Sequence, residues 1–526
     1  MSLRAAAATT AAVLVVVLVF MSYPSPVDAE PTYGYLTSGS PRENTSICNV
    51  SPDTIQTPLF RKYNRAESGW WHNTVEEAAF SNVPFVALNI RGDSPCGGGN
   101  IGGTPPSHAT DALNAINARG YGAFLKLALF DDCPAYTEYK NQCTGTHSFD
   151  LGDQQLWHDY FYAKWNSFFS RVPDGNRQKL QRSNGDLGAL VITWSVSPFF
   201  GFHNHPNNLR QLIQYLRDQV AADFGGLKLF IVVDQSWVAE DPTVVSVIDG
   251  VNDWFNGVAG PSWTSRGFPN GCTGQPPACF ETAVVVPGFW HWNGGNVMYI
   301  PRNGGQTLTD GLAATVTAEL ILLEGQTDVE ENAGYYRGAM VPCPATCAVH
   351  GPPGGQNCWT RPNQYLNLVR AYSAPFPKYI VYEAEACDSY QSTPAWTTAL
   401  FRRENGLATH WTNGAHTNWS VELGPTHWVE FSDFELGASS TYKWAYKASL
   451  LPGACTSELS LQIDGTEVSR STVPSTGGWD TYVQVAVPGT FSISAGKHNI
   501  RLVRLPNPSC PDCMCVRVDW WLLDGF

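Results

Sequence analysis

The stretch LILLEGQTDVEEN, residues 320–332, joins an uninterrupted apolar run to a group of acidic residues. An apolar run without alternation is typical of a parallel strand that is covered on both faces. The run ends at Glu324, and Asp328, Glu330 and Glu331 follow within eight residues. We therefore predict a buried strand whose carboxyl end presents several acids at one place.

Seven similar runs precede this one, and helical patterns separate them. The pattern in residues 208–225 places Leu209, Leu212, Ile213, Leu216 and Val220 on one stripe, which predicts an amphipathic helix. Eight strands with helical connections favour a (β/α)8 barrel; the alternative is an open doubly wound sheet, but no glycine-rich phosphate loop follows the first strand. The predicted strands are Tyr33–Leu36, Phe85–Ile90, Ala123–Phe130, Ala189–Thr193, Lys228–Val233, Val251–Trp254, Ala283–Pro287 and Leu320–Glu324.

The remainder of the chain has a different pattern. After a proline-containing linker at residues 371–378, short alternating strands predict an all-β, jelly-roll-like sandwich over residues 379–526. The barrel is predicted for residues 30–370. Residues 1–29 have a short apolar core and a small-residue end, which predicts a signal peptide and a secreted, extracellular protein.

Secretion decides how the cysteines and charges are interpreted. All 14 cysteines follow the signal segment, so disulfide bonds are expected, among them one between Cys133 and Cys143. Asn44, Asn49 and Asn418 begin sequons, which predicts glycosylation. A net charge of −14 without a basic patch argues against a nucleic-acid partner. We expect no membrane contact after removal of the signal segment, and a monomer.

Four segments of the second domain carry a resemblance to a known family: YEAEA (382–386), STGGWDTYVQV (475–485), FSISAGKHNIRL (491–502) and VRVDWWLL (516–523). They resemble marker segments of carbohydrate-binding modules of families 6 and 35. The resemblance implies a structural calcium ion held by Glu383, Glu385 and Asp519, unless these are surface charges on edge strands. It also implies sugar contacts from Trp479 and Asn507, with Trp419 or Trp411 as a second ring. An insertion, PSCPDCMC, separates Asn507 from the last strand.

The catalytic residues of such a barrel come from the carboxyl ends of its strands, where the βα loops converge. Carboxylates and aromatic rings at one mouth are typical of a sugar cleft. Glu324 is the predicted acid, and Glu331, Glu330 and then Asp234 are candidates for the base or nucleophile. Asp131 and Asp132 bind sugar hydroxyls or cap a loop. The further predicted substrate contacts are Trp194, Trp237, Trp290 and His291.

The segment EGQTDVEENAGYYR, residues 324–337, resembles the strand-eight segment of the clan of endo-mannosidases and fungal α-1,3-glucanases through Glu324 and Gly325. The second glutamate of that clan falls on Ile321, so its base is not carried over. The whole domain resembles an uncharacterised secreted family that is joined to such binding modules. These features predict a secreted glycoside hydrolase that acts on a polysaccharide or glycan without a catalytic cofactor. The alternatives are a lectin-like wall protein, a polysaccharide lyase or esterase, and a structural surface protein.

Overall fold

The structure is a computed structural model. It describes residues 32–37, 68–90, 107–145, 148–182, 185–253, 264–266, 280–293, 296–327, 333–338, 359–373, 379–391, 409–411, 419–436, 439–450, 456–478, 481–507 and 516–525. Among these residues, no helix is both long and apolar enough to cross a membrane.

Eight parallel strands of the described chain close into a barrel, which confirms the predicted fold of the first domain. Each strand pairs with its neighbour in chain order, and the eighth strand pairs with the first. All eight predicted strands form, with ends that differ from the prediction by a few residues. They are β1 (Thr32–Thr37), β2 (Phe85–Asn89), β3 (Lys126–Asp131), β4 (Leu187–Thr193), β5 (Leu229–Asp234), β6 (Gly250–Asn252), β7 (Phe280–Val285) and β8 (Leu320–Leu323).

Helices surround the barrel and cover the outer face of its strands. They are α1 (Ser68–Phe80), α2 (His108–Arg119), α3 (Pro134–Thr144), α4 (Ala163–Arg171), α5 (Asn208–Asp223), α6 (Gln235–Glu240), α7 (Gln306–Thr315) and α8 (Gln364–Arg370), and a π-helical segment, Trp157–Tyr162, leads into α4. The predicted stripe of α5 is buried, and α2 ends at Gly120, whose φ of 71° is left-handed.

The predicted disulfide between Cys133 and Cys143 is wrong. Cys133 precedes α3 and is free and buried, while the backbone of Cys143 lies in the last turn of α3. Ten residues of helix separate the two positions by about 15 Å, roughly twice the Cα distance that a disulfide spans. Helix formation between the two cysteines therefore prevents the bond.

The second domain consists of two antiparallel sheets, in agreement with the predicted sandwich. The strands are β9 (Tyr379–Glu383), β10 (Ser389–Gln391), β11 (Thr409–Trp411), β12 (Trp419–Leu423), β13 (Trp428–Leu436), β14 (Ser440–Ser449), β15 (Ser457–Ile463), β16 (Thr466–Val473), β17 (Val483–Ile493), β18 (Gly496–Leu505) and β19 (Val516–Gly525). One sheet has the order β11-β12-β19-β14-β17, with β9 also paired to β19, and the other has the order β10-β13-β18-β15-β16.

An aromatic contact joins the barrel to the sandwich. Phe80, the last residue of α1, packs against Tyr382, Phe431 and Phe434 of the sandwich at ring-centroid distances of 5.7–6.0 Å. The guanidinium of Arg370 lies 4.7 Å from the centroid of Phe80 and 4.2 Å from that of Phe434. Burial lowers the pKa of Arg370 to about 10. The two domains thus share one hydrophobic core.

Buried hydrogen bonds fix the same interface. The backbone N–H of Asn363 donates to Asp388 Oδ1 over 2.9 Å, and its side-chain Nδ2 donates to Ala386 O over 2.7 Å. Ser432 N donates to the second oxygen of Asp388 over 3.1 Å. Burial raises the pKa of Asp388 to about 6, because these donors only partly replace water around the charged form.

This raised pKa predicts a pH-dependent stability of the interface. The folded state holds a proton on Asp388 that the unfolded chain releases, so stability contributed by this carboxyl group falls as the pH rises from about 4 to 6. We expect the wild-type protein to lose up to about 3 kcal/mol of unfolding free energy relative to Asp388→Asn over this interval. Urea unfolding of both proteins at pH 4.5 and 7 measures the difference.

Asp433→Asn is the matched control, because it removes an exposed carboxylate that pairs with Arg361 at the same interface. A difference between wild type and Asp388→Asn that stays constant from pH 4.5 to 7 would contradict the assignment.

Candidate active site

Alternation along the strands divides the barrel side chains into an inner and an outer set. The inner set forms one cluster that includes Ala87, Phe130, Ile192, Val232 and Leu322. The residues between them, such as Leu88, Leu129, Val191, Val233 and Leu323, belong to the core under the helices. Because successive side chains of a strand point to opposite faces, the residue two positions after an inner residue also points inward.

At the carboxyl ends of six strands, the aliphatic residues of the inner rows give way to other residue types. Five of them are polar or acidic and one is aromatic, and they come from β2, β3, β4, β5, β6 and β8. These residues, which we call the mouth layer, are Asn89, Asp132, Trp194, Asp234, Asn252 and Glu324. Four follow one another around the mouth, because Asp131 pairs with Thr193, Thr193 with Val233, and Asp234 with Asn252. Continued by one residue, the same register places Asp132 next to Trp194 and Trp194 next to Asp234.

Asp132 is held by an amide of the neighbouring strand. Asn89 Nδ2 donates to Asp132 Oδ2 over 3.2 Å, and the Asp132 side chain is buried. Asp132 and Asp234 are separated by Trp194 in the register, so their Cα atoms lie two strand spacings apart, about 10 Å. Two inward carboxyl groups therefore face the same part of the mouth.

Asp234 combines a place in the mouth layer with a structural role. It caps α6, because its Oδ1 accepts a hydrogen bond from Ser236 N over 3.0 Å. An N-cap fixes the side-chain rotamer and also places the carboxylate at the positive end of the helix. The Asp234 carboxyl group is thus held in one position.

Asn252 is an inward amide at the end of β6. Its side chain is fully buried, and neither its Oδ1 nor its Nδ2 forms a hydrogen bond with any group in the described part of the chain. A Cβ atom at Gly250, two residues earlier, would meet inner side chains of β5 and β7, which confirms that this row faces the interior. Unpaired buried amides are costly, so this group is suited to a polar ligand. No sequence motif marks Asn252, although alternation from Gly250 gives the direction of its side chain.

Glu324 is buried at the end of β8, with 2% of its surface exposed. Its backbone N–H donates to Val285 O over 3.0 Å, which continues the ladder between β7 and β8 by one residue. Glu324 also lies close enough to Tyr335 to help raise the pKa of that hydroxyl, although burial is the larger cause. Glu330 and Glu331, the other predicted acids of this loop, lie outside the described residues.

Asp131 points away from the mouth. It belongs to the outer row of β3 and is fully buried under the helices. Its carboxylate accepts hydrogen bonds from Tyr136 Oη at 2.6 Å and Trp165 Nε1 at 2.6 Å, and Lys164 Nζ lies 3.3 Å away. Burial raises the pKa of the adjacent Cys133 thiol, and the charge of Asp131 adds to the effect. This position gives the predicted sugar contact no support.

The predicted aromatic contacts differ in their surroundings. Trp194 is partly exposed at the mouth, whereas Trp237 is fully buried and donates from Nε1 to Trp194 O over 2.8 Å. Trp237 thus positions the backbone of Trp194 instead of offering a surface. Trp290 and His291 lie in the strand Phe289–Asn293, and their side chains lie outside the part of the molecule that the structure describes.

The loops after β4 and β5 are bound to each other. Ser236 Oγ accepts a hydrogen bond from Val196 N over 3.1 Å and contacts Ser195 Oγ at 3.1 Å. Asn204 Nδ2 donates to Val196 O over 3.2 Å. These bonds hold Trp194 and Asp234, which lie on the two loops, in a fixed arrangement.

The predicted residues of the sandwich are only partly described. Asn507 Nδ2 donates to Thr456 O over 2.8 Å, while Trp479 and the side chain of Trp419 lie outside the described part. Asp519 is fully buried at a bulge of β19, and Lys447 Nζ lies 2.8 Å from its Oδ2. The backbone of Glu383 pairs with Trp520, next to Asp519, but the side chains of Glu383 and Glu385 are not described. Among the described side chains, no three form a group that could hold a metal ion.

Two family models match the chain. Residues 36–389 match the model of a domain of unknown function, DUF5010, which covers more than half of the chain. The chain belongs to the DUF5010 family. Residues 401–525 match the model of the family 6 carbohydrate-binding module, which supports the assignment of the C-terminal domain to that family. No curated protein matches the sequence.

Solved structures similar to the chain match its C-terminal domain. One is the C-terminal family 6 module of a laminarinase from Zobellia galactanivorans, with 16% identity over 28% of this chain and 98% of that chain and a TM-score of 0.22. Another is a family 6 module of Cellvibrio mixtus lichenase 5A in complex with cellotriose, with 16% identity, 28% and 96% coverage and a TM-score of 0.21. A β-1,3-glucan-binding module from Bacillus halodurans has 19% identity, 27% and 93% coverage and a TM-score of 0.21. At these values the similarities carry no argument about function.

Asp131 points under the helices and Asp132 points into the mouth. We therefore expect substitution of Asp131 to destabilise the protein much more than substitution of Asp132. Asp131→Asn leaves the buried Lys164 without its counter-charge, so we expect a loss of about 3–5 kcal/mol of unfolding free energy. Asp132→Asn keeps the shape and reduces negative charge in the mouth layer, so we expect a change below about 1 kcal/mol. Urea unfolding of the two variants measures both values. Equal losses in the two variants would contradict the assigned directions.

Proposed function

We propose that the protein is a secreted glycoside hydrolase that cleaves a polysaccharide at the barrel mouth and binds it through the sandwich. The observation that carries the proposal is the mouth layer, in which Asp132, Asp234 and Glu324 point inward beside Trp194 and two amides. Hydrolysis of a glycosidic bond requires two carboxyl groups that flank it. An aromatic ring at the same mouth offers a surface for the apolar face of a sugar.

The proposed roles follow from the surroundings of each group. Glu324 donates the proton to the leaving oxygen, because it is the buried carboxyl group at the mouth end of β8. Asp234, fixed by its cap on α6, activates water or attacks the anomeric carbon. Asp132 and Asn252 bind sugar hydroxyls. Glu330 and Glu331 remain sequence-based predictions for the second carboxylate.

The second domain is proposed to hold the same polymer. Its match to the family 6 model supports carbohydrate binding. We assign the contacts to Trp479, Trp419 and Asn507, whose amide is oriented by its bond to Thr456 O. Binding beside the barrel raises the local concentration of substrate. The proposed signal segment, residues 1–29, directs secretion, and we keep residues 30–370 and 379–526 as the proposed domains.

A calcium ion is proposed to hold the strand ends of the sandwich together. Asp519 supplies a buried carboxylate, and the register of β9 brings Glu383 next to it. Carboxylate oxygens are the ligands that calcium prefers, so the donor chemistry fits. Glu383, Glu385 and Asp519 would hold the ion. Lys447 is the competing counter-charge, because its ammonium group already neutralises Asp519.

The assignment of the acids predicts the activity of two variants. We expect Glu324→Gln and Asp234→Asn each to reduce kcat by about a thousandfold or more, since each removes one of the two carboxyl groups that act on the glycosidic bond. Asparagine caps helices as well as aspartate, so Asp234→Asn separates the charge from the cap. Reducing-end release from laminarin, xylan, galactomannan and other polysaccharides measures the activity.

Asp241→Asn is the matched control for Asp234→Asn. Asp241 is also buried and also caps a helical turn, Pro242–Ser246, but it does not belong to the mouth layer. Wild-type activity in Glu324→Gln would refute its assignment as the acid. Binding of polysaccharide without any hydrolysis would favour the lectin-like alternative, and products with an unsaturated end or a released acid would indicate a lyase or an esterase.

Calcium binding to the sandwich would shift the Tm of the protein. We expect 1 mM-scale calcium to raise the Tm of the wild-type protein and a chelator to lower it, because the ion binds only the folded sandwich. Asp519→Asn should abolish the shift. Differential scanning calorimetry with and without the chelator measures it, and an unchanged Tm in both conditions would identify Lys447 as the permanent partner of Asp519.

A further inference from the structure

The loop after β4 carries a phenylalanine on the surface beside the mouth layer. Phe199 is 87% exposed, the most exposed of the large hydrophobic side chains among the described residues. The other two are Leu187 at 48% and Val316 at 46%. A single exposed apolar side chain is common on protein surfaces, whereas a contiguous apolar patch is typical of a binding site. The surroundings of Phe199 therefore decide whether its ring belongs to such a patch.

The ring is held in place by its loop. Phe199 belongs to a 3-10 turn, Pro198–Phe200, that is capped by Ser197 Oγ, which accepts from Phe199 N. Gly201 follows with a φ of 87°, a left-handed conformation that glycine adopts readily. The next residues form a short parallel pair with Phe149–Asp150, in which Phe149 N donates to Gly201 O over 2.9 Å. The exposed position of Phe199 is therefore built into a fixed turn.

Ring contacts connect Phe199 to the mouth layer. Phe199 packs edge-on against Phe200 with centroids 5.1 Å apart, and Phe200 packs against Trp194 with centroids 5.2 Å apart. Trp194 lies between Asp132 and Asp234 in the register. The three rings form an aromatic path, Trp194, Phe200 and Phe199, that runs from the proposed point of cleavage to the outside of the barrel.

Polar residues follow the aromatic path in the same loop. His203 and His205 follow on the same loop, and the ring Nε2 of His205 lies 2.7 Å from Asp150 Oδ1. The Gly152 N–H and His205 lower the pKa of Asp150, whose backbone pairs with His203 in the segment that follows the Phe199 turn. Sugars are recognised by an aromatic plane for the C–H face together with planar polar groups for the hydroxyls.

The charge of the protein restricts the ligand further. The net charge is −14, and the mouth layer itself contains three acids. Anionic polymers such as polyuronides or sulfated glycans would be repelled from this surface. A neutral chain with apolar pyranose faces fits both the rings and the charge.

We infer that the aromatic path is an extended subsite that binds a linear, neutral polysaccharide as it leaves the barrel mouth. The inference rests on the proposed function and deepens it, because it names the substrate class. Several sugar residues beyond the scissile bond contact the protein, so the protein prefers polymers over short oligosaccharides. Phe199 contacts a residue of the chain that lies outside the mouth.

The test uses the full mature chain with Phe199→Ala, Phe199→Trp and Leu187→Ala. Leu187 is the matched control, because it is an exposed apolar residue at the opposite end of the same strand. All variants carry Trp479→Ala to lower the contribution of the sandwich. Affinity electrophoresis in laminarin, xylan, galactomannan and alginate measures binding, and reducing-end release from each polymer and from its trisaccharide measures turnover.

We expect Phe199→Ala to weaken binding of one neutral polymer about tenfold, equivalent to about 1.4 kcal/mol, and to raise KM for that polymer by a similar factor. The trisaccharide KM and the Tm should not change. Phe199→Trp should retain binding, and Leu187→Ala should match the parent protein. Alginate should not be retained by any of the proteins.

The possible outcomes distinguish a failure of the proposed subsite from a failure of the proposed hydrolase activity. Loss of polymer binding in Phe199→Ala without hydrolysis by any of the proteins would uphold the subsite and refute the hydrolase. Hydrolysis with the same polymer affinity in parent and Phe199→Ala would refute the subsite and uphold the hydrolase. A parent protein that binds none of the polymers, or a dimer on light scattering that Phe199→Ala dissociates, would overturn the subsite.

Discussion

Alternation of side chains in a closed barrel is the constraint on which the candidate site depends. The eight strands have no free edge, so every second side chain must enter the interior and the others must pack under the helices. Apolar residues fill the interior of this barrel up to the last layer. The polar residues of the mouth layer begin where the apolar filling ends, which places charged groups above a dry floor.

The environment of the mouth layer is set by the loops as much as by the strands. Trp237 is fully buried, and both Trp237 and Ser236 bind the backbone of the loop that carries Trp194. Asp234 serves the helix after it and the mouth in front of it. Groups held in this way need little reorganisation when charge develops nearby, a property that favours catalysis.

Much of this arrangement could be predicted from the sequence. Continuous apolar runs gave all eight barrel strands, and the stripe of α5 gave its buried face. The direction of single residues could not be predicted as well, because the strand ends were known only to within a few residues. Asp131 and Asp132 were therefore treated alike, although one residue of register separates a helix-facing side chain from a mouth-facing one. Asn252 escaped notice because a lone amide after a three-residue strand has no motif, and Cys133 was misjudged because α3 was not recognised.

The shared aromatic core between the domains has a mechanical consequence. Phe80 and Arg370 pack against side chains of both domains, so the sandwich does not move independently of the barrel. Both units keep one mutual orientation, and a bound polymer would be presented to the barrel along a preset direction. A polymer that cannot follow the path between the two surfaces would engage only one of them, so the fixed orientation restricts the curvature of chains that contact both domains.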